Sequence, residues 1–259
     1  EEGTVSVRSR FAGDEGASSL ESFIGKIQKE IASKEMRKME EKKKIEQDLS
    51  FERRSYEKYH LDESTVTDNP MDLFQAWYNL ADASDQIEEA NAMTVSTIRP
   101  EGTPRARVVL LKRFTWEGFY FYTNYLSEKG RDIAACPSVC LSFFWDAFER
   151  EIIIEGVAEK APADVSDGYF ATRPRGSRLG AWASEQSQVV PSREYLDRRL
   201  EEFEKQFEGK DVPRPPHCGL YLVRPRVIEF WQGRPNRMHD RLRYTLQEDF
   251  SWKLERLAP

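Results

Sequence analysis

Cysteine is scarce, with three residues among 259, Cys136, Cys140 and Cys218. They form no CxxC pair and leave one thiol over, which excludes a disulfide framework and a cysteine-based metal site and suits a reducing compartment. They read as packing residues. Histidine is as rare, at three. No HExxH, P-loop, GxGxxG or Ser-His-Asp ordering is present, so hydrolysis by an activated nucleophile or a metal has no support. No apolar run reaches the roughly 20 residues of a membrane span. No charged segment followed by an apolar one opens the chain as a secretion signal would. The expectation is a soluble protein with no membrane contact, cytoplasmic, or organellar if a transit segment has been removed ahead of Glu1. An excess of positive charge is missing too: 39 Lys and Arg face 45 Asp and Glu, a net −6. That argues against nucleic acid held by bulk electrostatics and leaves small, locally bound anions.

What is present begins with an unusual N-terminus. Residues 1 to about 19 are rich in Gly and Ser, which predicts disorder. Leu20, Ile24, Ile27 and Ile31 then follow helical spacing, and Lys34 to Glu46 is nearly all Lys and Glu, a charged helix outside the core. Residues 1–55 therefore read as an extension and 56–259 as the globular domain. In that domain Asn69-Pro70 opens a helix carrying Leu73, Phe74, Trp77 and Leu80. Strands follow at 92–98, 105–112 and 119–124, a short helix capped by Ser127, and strands at 139–145 and 151–158. Helices at about 163–171, 178–186 and 192–207 precede final strands at 219–223, 226–232, 238–245 and 251–256. Many closely spaced strands with helices grouped between them predict a β-rich α+β fold, a closed barrel with peripheral helices. The lack of β-α-β alternation excludes a doubly wound sheet.

Four segments carry groups suited to anions. On the strand Arg105 to Lys112, Arg105, Arg107, Val109 and Leu111 share one face and Lys112 lies on the other, so guanidinium forks and an ammonium serve two sides. From Tyr122 to Gly130 a strand runs into a capped helix, whose free N–H groups favour an anion beside Thr123 and Lys129. Between Tyr169 and Ser187, Tyr169 and Arg173 are four apart at a helix end, and Ser177 follows a Pro/Gly turn. Finally, Val227–Trp231 and Met238–Thr245 read as strands joined by a turn at 233–236, which aligns Arg237, His239 and Arg241 on one face. Such a row serves equally as a solvated edge or as a set of anion donors. With no nucleophile or metal set, the chemistry falls to a bound cofactor.

Taken in order, these segments resemble the pyridoxine/pyridoxamine 5′-phosphate oxidases, FMN-dependent enzymes of vitamin B6 salvage. The resemblance runs from about Tyr56 to Pro259 and rests on Glu89–Met93, Arg107–Lys112, Arg173–Ser177, Gly180–Trp182, Gln186–Ser187, Glu229–Gly233, Arg237–Arg241 and Arg256–Pro259. It implies an FMN-binding split barrel, a homodimer, and FMN lying across the subunit interface. By matching position, Arg107, Lys129 and Ser187 would meet the FMN phosphate, and Val108, Val109, Leu110, Tyr122, Thr123, Gln186, Trp231 and Arg241 the ribityl chain and ring. Lys112, Tyr169, Arg173 and Ser177 would hold the substrate phosphate, with Arg237 and His239 over the substrate ring as the catalytic pair. The implied reaction is hydride transfer from substrate C4′ to flavin N5, with dioxygen as final acceptor and pyridoxal 5′-phosphate as product.

Three positions depart from the family's usual residues. Glu128 stands beside Lys129 where an Arg is usual, replacing attraction toward a phosphate by repulsion of about 1–4 kcal/mol at contact distance. Glu151 replaces a Gln that donates toward the flavin, and an ionised Glu only accepts. Arg178 replaces a Gln without penalty at an anion site. The first two predict weakened flavin affinity. They also keep open a non-catalytic split-barrel protein that binds FMN or pyridoxal phosphate; an oxidoreductase of the same barrel using deazaflavin or haem fits less well with a full substrate-phosphate set.

Overall fold

The computed structural model describes residues 3–9, 13–32 and 49–259. The chain divides into two compact units, Glu1–Arg54 and Ser55–Pro259. In the first, β1 (Thr4–Ser9) and β2 (Gly13–Ser19) pair antiparallel, with Thr4 opposite Ser19, and α1 (Leu20–Ala32) follows. Composition predicts disorder over residues 1 to about 19, and the described part departs from it. Backbone pairing satisfies its own N–H and C=O groups and needs no large apolar side chain. The charged helix expected over Lys34–Glu46 lies outside the described residues.

The second unit opens on α2 (Pro70–Asp82), which starts where the sequence places it. The Asn69 side chain accepts from the Met71 N–H at 3.0 Å, and Pro70 fills a first-turn position whose N–H has no helical partner. There follow β3 (Ala92–Ile98), β4 (Pro104–Thr115), β5 (Gly118–Asn124), α3 (Glu128–Ala135), β6 (Ser138–Trp145) and β7 (Arg150–Lys160). Then come α4 (Ala163–Ala171), α5 (Arg175–Ala183), α6 (Arg193–Gln206), β8 (Cys218–Gln232), β9 (Asp240–Leu246) and β10 (Trp252–Arg256). The strands pair in the order β8–β5–β4–β3–β6–β7, and β7 pairs back onto β8, closing a six-stranded antiparallel barrel; β9 and β10 extend outward from β8. Closure removes the unpaired edges that an open sheet would present.

The barrel fills with side chains that alternate along each strand. Phe119 and Phe121, Leu141 and Phe143, and Ile152 and Ile154 are fully buried pairs two residues apart. Helix α2 lays Phe74 against this core, edge-on to Phe119 at 4.8 Å and to Phe114 at 5.0 Å between ring centroids. The sequence predicts two strands at 219–223 and 226–232, whereas β8 is one continuous strand of 15 residues. Pro225 has no N–H to donate, and the ladder shifts register here: Glu155 faces Val227 and Gly156 faces Pro225, which leaves Arg226 as an extra residue on β8. A side chain on Gly156 is barred, because a Cβ there would lie 2.3 Å from the Arg224 carbonyl oxygen.

Phe74→Ala removes a ring from this closed core and should lower unfolding stability by about 3–5 kcal/mol. Trp116→Ala, at a turn where the indole is 82% exposed, should stay within about 0.5 kcal/mol. Denaturant unfolding of the two variants checks both values.

Candidate active site

A cleft of ≈ 650 Å³ opens where β4, β5, α3 and the α4–α5 segment converge. Its lining includes Val108, Val109, Leu110 and Lys112 from β4, Tyr122 and Thr123 from β5, and Lys129 from α3. Tyr169, Arg173, Ser177 and Gln186 complete the opposite wall. All eleven are residues that the sequence proposes for cofactor or substrate. Arg173 falls two residues past the end of α4, and Ser177, expected between a Pro/Gly turn and a helix starting at about 178, is the third residue of α5, which starts at Arg175.

At one wall of the cleft the Arg173 guanidinium lies 4.9 Å over the Tyr122 ring, Tyr122 and Tyr169 are 5.1 Å apart, and the Lys112 ammonium is 6.0 Å from the Tyr169 ring. Burial, reinforced by Arg173, holds the Lys112 pKa below the usual lysine value, and burial pushes the Tyr122 and Tyr169 phenols up. Nη1 of Arg173 and the Tyr122 hydroxyl are buried without a hydrogen bond among the described residues. Buried donors without partners are costly, and an anion with several acceptor oxygens removes that cost.

A second cationic group gathers at α3. Ser127 caps the helix by accepting the Gly130 N–H at 3.3 Å. The Lys129 ammonium donates to Gln186 Oε1 at 3.2 Å, within reach of the Thr123 hydroxyl at 3.4 Å from the same oxygen, and Ser187 Oγ accepts the Glu128 N–H at 3.3 Å. Arg107 donates to Thr97 Oγ1 at 2.6 Å, with Asp132 Oδ2 3.6 Å from its other terminal nitrogen. Burial lowers the pKa of Lys129, and Arg107 and Arg105 lower it further. Arg107 and Ser187 do not line the cleft themselves; they abut the residues that do. The repulsion expected from Glu128 is altered by its partners, since its carboxylate is ion-paired with Arg105 and lies 3.7 Å from Arg99. Arg178 faces away, paired with Asp211 at 2.7 Å.

The remaining proposed residues, Trp231, Arg237, His239 and Arg241, do not line this cleft. They sit together at the far end of β8 and the start of β9, where the Trp231 and His239 rings are 4.7 Å apart and Tyr56 meets both edge-on. The strand predicted from Met238 is corrected here: Pro235–Arg237 forms a 3₁₀ turn and β9 begins only at Asp240. Asn236 and Arg237 both take left-handed backbone angles, φ 56° and 60°, which no strand accommodates. Arg237 and His239 therefore project from a turn, and Arg241 alone belongs to the strand. His239 Nδ1 accepts the Arg234 N–H at 3.1 Å, and burial and Arg237 lower its pKa. A neutral ring accepting at Nδ1 carries its proton on Nε2. Arg241 pairs with Glu229 at 2.7 Å, opposite Trp231, which is itself opposite Glu151. Burial, then Glu229, raises the Glu151 pKa against the pull of Arg241. Sequence reading assigns no role to Tyr56, names Glu229 only within a motif, and leaves Glu128 unpaired with Arg105 and Arg99.

Both halves of the chain's globular unit match described families. Residues 81–207 match the pyridoxamine 5′-phosphate oxidase family, and 219–259 match the pyridoxine 5′-phosphate oxidase C-terminal dimerisation region. A pyridoxine/pyridoxamine 5′-phosphate oxidase of Flavobacterium johnsoniae is 56% identical over 211 residues, 82% of this chain and 99% of that protein. One from Christiangramia forsetii is 52% identical over 215 residues, covering 83% and 100%. Among solved structures, PhzG from Burkholderia lata, in complex with tetrahydrophenazine-1-carboxylic acid, superposes with a TM-score of 0.73 at 26% identity, over 79% of this chain and all of that one. A pyridoxamine 5′-phosphate oxidase-related, FMN-binding protein of Nostoc punctiforme shares the fold at a TM-score of 0.57 and 13% identity, over 75% and 100%. With this barrel, this cleft and more than half of the aligned positions identical to relatives of that name, the chain belongs to the pyridoxine/pyridoxamine 5′-phosphate oxidase family of oxidoreductases.

Proposed function

We propose that the protein oxidises pyridoxine 5′-phosphate and pyridoxamine 5′-phosphate to pyridoxal 5′-phosphate with FMN as cofactor and dioxygen as acceptor, as a homodimer whose sites are each built from both subunits. The observation that carries this is the placement of the two residue groups along one strand. Cys218 lines the cleft, while Trp231 lies thirteen residues further along the same continuous β8, roughly 40 Å at the rise of an extended strand. One copy does not bring Trp231, Arg237 and His239 over its own cleft, and a twofold-related copy supplies them.

The residues present fit FMN. The α3 start with Lys129, Arg107 and Ser187 suits its phosphate, the β4 backbone at Val108–Leu110 with Tyr122, Thr123 and Gln186 its ribityl chain and ring, and Trp231 and Arg241 of the second copy its far side. FMN, when bound, would supply a two-electron acceptor for the C4′ hydride, with dioxygen as the final acceptor and hydrogen peroxide as its product. The alcohol substrate then yields the aldehyde directly; the amine yields it with uptake of one water and release of ammonia. Lys112, Tyr169, Arg173 and Ser177 grip the substrate phosphate, and holding the substrate ring fixed makes the transfer effectively unimolecular. Arg237 and the Nε2–H of His239 face the reacting end as donors to the C4′ oxygen or nitrogen and orient it, and the proton that substituent loses ends up in hydrogen peroxide.

A yellow protein that consumes oxygen with pyridoxine 5′-phosphate supports the oxidase; binding without turnover points instead to a non-catalytic carrier. Lys112→Met should raise KM for the phosphorylated substrate on the order of ten- to a hundredfold, the weight of a charge-assisted hydrogen bond, with a smaller change in kcat.

Mixing Lys112→Met subunits with Arg237→Ala subunits tests the shared site. At substrate concentrations well below the KM of the Lys112→Met variant, where both parent homodimers contribute little, half of the randomly formed dimers are mixed and carry one wholly wild-type site, so activity should recover to about one quarter of wild type. No recovery on mixing means that a single chain holds the whole site.

Glu151 adds a pH signature. A carboxyl whose pKa is raised in the folded protein keeps its proton, and its donor capacity, to higher pH than an exposed Glu. Flavin affinity should therefore fall as pH rises above the ordinary glutamate value, and Glu151→Gln should bind more tightly with a flat profile. Flavin fluorescence titrations across pH check this.

A further inference from the structure

The reversed charge at position 128 has partners that change its meaning. One Glu128 carboxylate oxygen meets Nη1 of Arg105 and the other lies 3.7 Å from Nη2 of Arg99, so both oxygens face cations rather than the cleft. Arg99 divides its charge, lying 3.7 Å from Glu101 as well. Arg105 has no such second carboxylate within ion-pair distance among the described residues. Its guanidinium is electrostatically coupled to both Lys129 and Arg107, the cations assigned to the flavin phosphate. Meanwhile the Glu128 N–H donates to Ser187 Oγ, which ties the carboxylate's own backbone to the same end of the cleft.

We propose that Glu128 is a positioning residue that holds the Arg105 guanidinium at the phosphate end of the flavin site, and that Arg105 takes up the phosphate-binding task usually given to an arginine at 128. This rests on the FMN reading above. A guanidinium presents five N–H donors in a fixed fork. Glu128 meets it at Nη1, so a carboxylate on one edge and a phosphate on another are served together. Arg105 starts 41% exposed and Glu128 34%. Without the carboxylate, an arginine side chain of that exposure samples many rotamers, and fixing it on binding costs conformational entropy. The ion pair meets that cost in advance. Glu128 thus favours the bound phosphate indirectly, although its own charge opposes it.

The test compares FMN with riboflavin, which lacks the phosphate, by fluorescence titration of apoprotein for wild type, Arg105→Gln, Glu128→Gln and Glu128→Arg. Arg105→Gln should weaken FMN on the order of tenfold and leave riboflavin unchanged. Glu128→Gln should weaken FMN several-fold, again with riboflavin unchanged, because Arg105 loses its anchor. Glu128→Arg should bind FMN no more tightly than wild type. The proposal is overturned if Glu128→Gln or Glu128→Arg tightens FMN, since the carboxylate then acts only by repulsion. It is overturned too if Arg105→Gln leaves FMN unchanged or weakens both ligands equally, the mark of a merely structural residue. A wild type that binds neither flavin sinks the underlying FMN reading; a wild type that binds FMN while the variants behave as just described against it sinks only the role of Arg105.

Discussion

The pairing of β8 with β7 is the contact on which the rest of the molecule depends. It runs from Arg150 opposite Gln232 to Lys160 opposite Tyr221 and closes the barrel. The same strand also gives its first residues to β5 and its last to β9. A strand that borders three others cannot shift register without moving every side chain to the opposite face. Cys218 at one end and Trp231 at the other are therefore fixed in separation. The distance between the two residue groups is a property of the barrel rather than of loops.

Electrostatics in the cleft follow from the same rigidity. Lys112, Lys129 and Arg107 all have their charged forms disfavoured by burial. A flexible surface would relieve this by swinging the cations into water, but strands β4 and β5 and the first turn of α3 hold them in place. Gly130 shows how closely α3 is seated, since a Cβ there would lie 2.1 Å from the Tyr125 carbonyl oxygen. Penalised cations on a rigid frame are a preorganised anion site: the unfavourable term is already present in the folded protein, and a phosphate removes it on arrival.

Much of this was legible from residue order because it is local. Period-two burial identifies β3, β6 and β7, Asn69-Pro70 and Ser127 mark the starts of α2 and α3, and the residues that line the cleft fall within short motifs. The places where sequence reading departs from the structure have nonlocal or backbone causes. Pro225 signals a break, but β8 runs on through a register shift at Arg226 that depends on Gly156 of β7 standing opposite the proline. Asn236 and Arg237 take left-handed angles that a residue-type pattern does not announce. The pairing of β1 with β2 proceeds through backbone groups, on which composition is silent. Tyr56 reaches Trp231 and His239 across more than 170 residues of sequence.

Glu128 illustrates the general difficulty with charge. Read along the chain, it is a carboxylate next to Lys129 in a phosphate-binding turn, and its effect has one sign. Read in space, it belongs to β4 as much as to α3, because Arg105 lies 23 positions earlier on the strand that runs past the helix start. The energy of a charge at contact distance depends on its nearest counter-charge before any more distant ligand, as the inverse dependence on separation requires. A carboxylate already neutralised by a guanidinium repels a phosphate weakly, while the guanidinium it holds attracts one. The sign of a substitution at a binding site is thus set by the pair it joins, and the pair is visible only once the strand and the helix have been brought together.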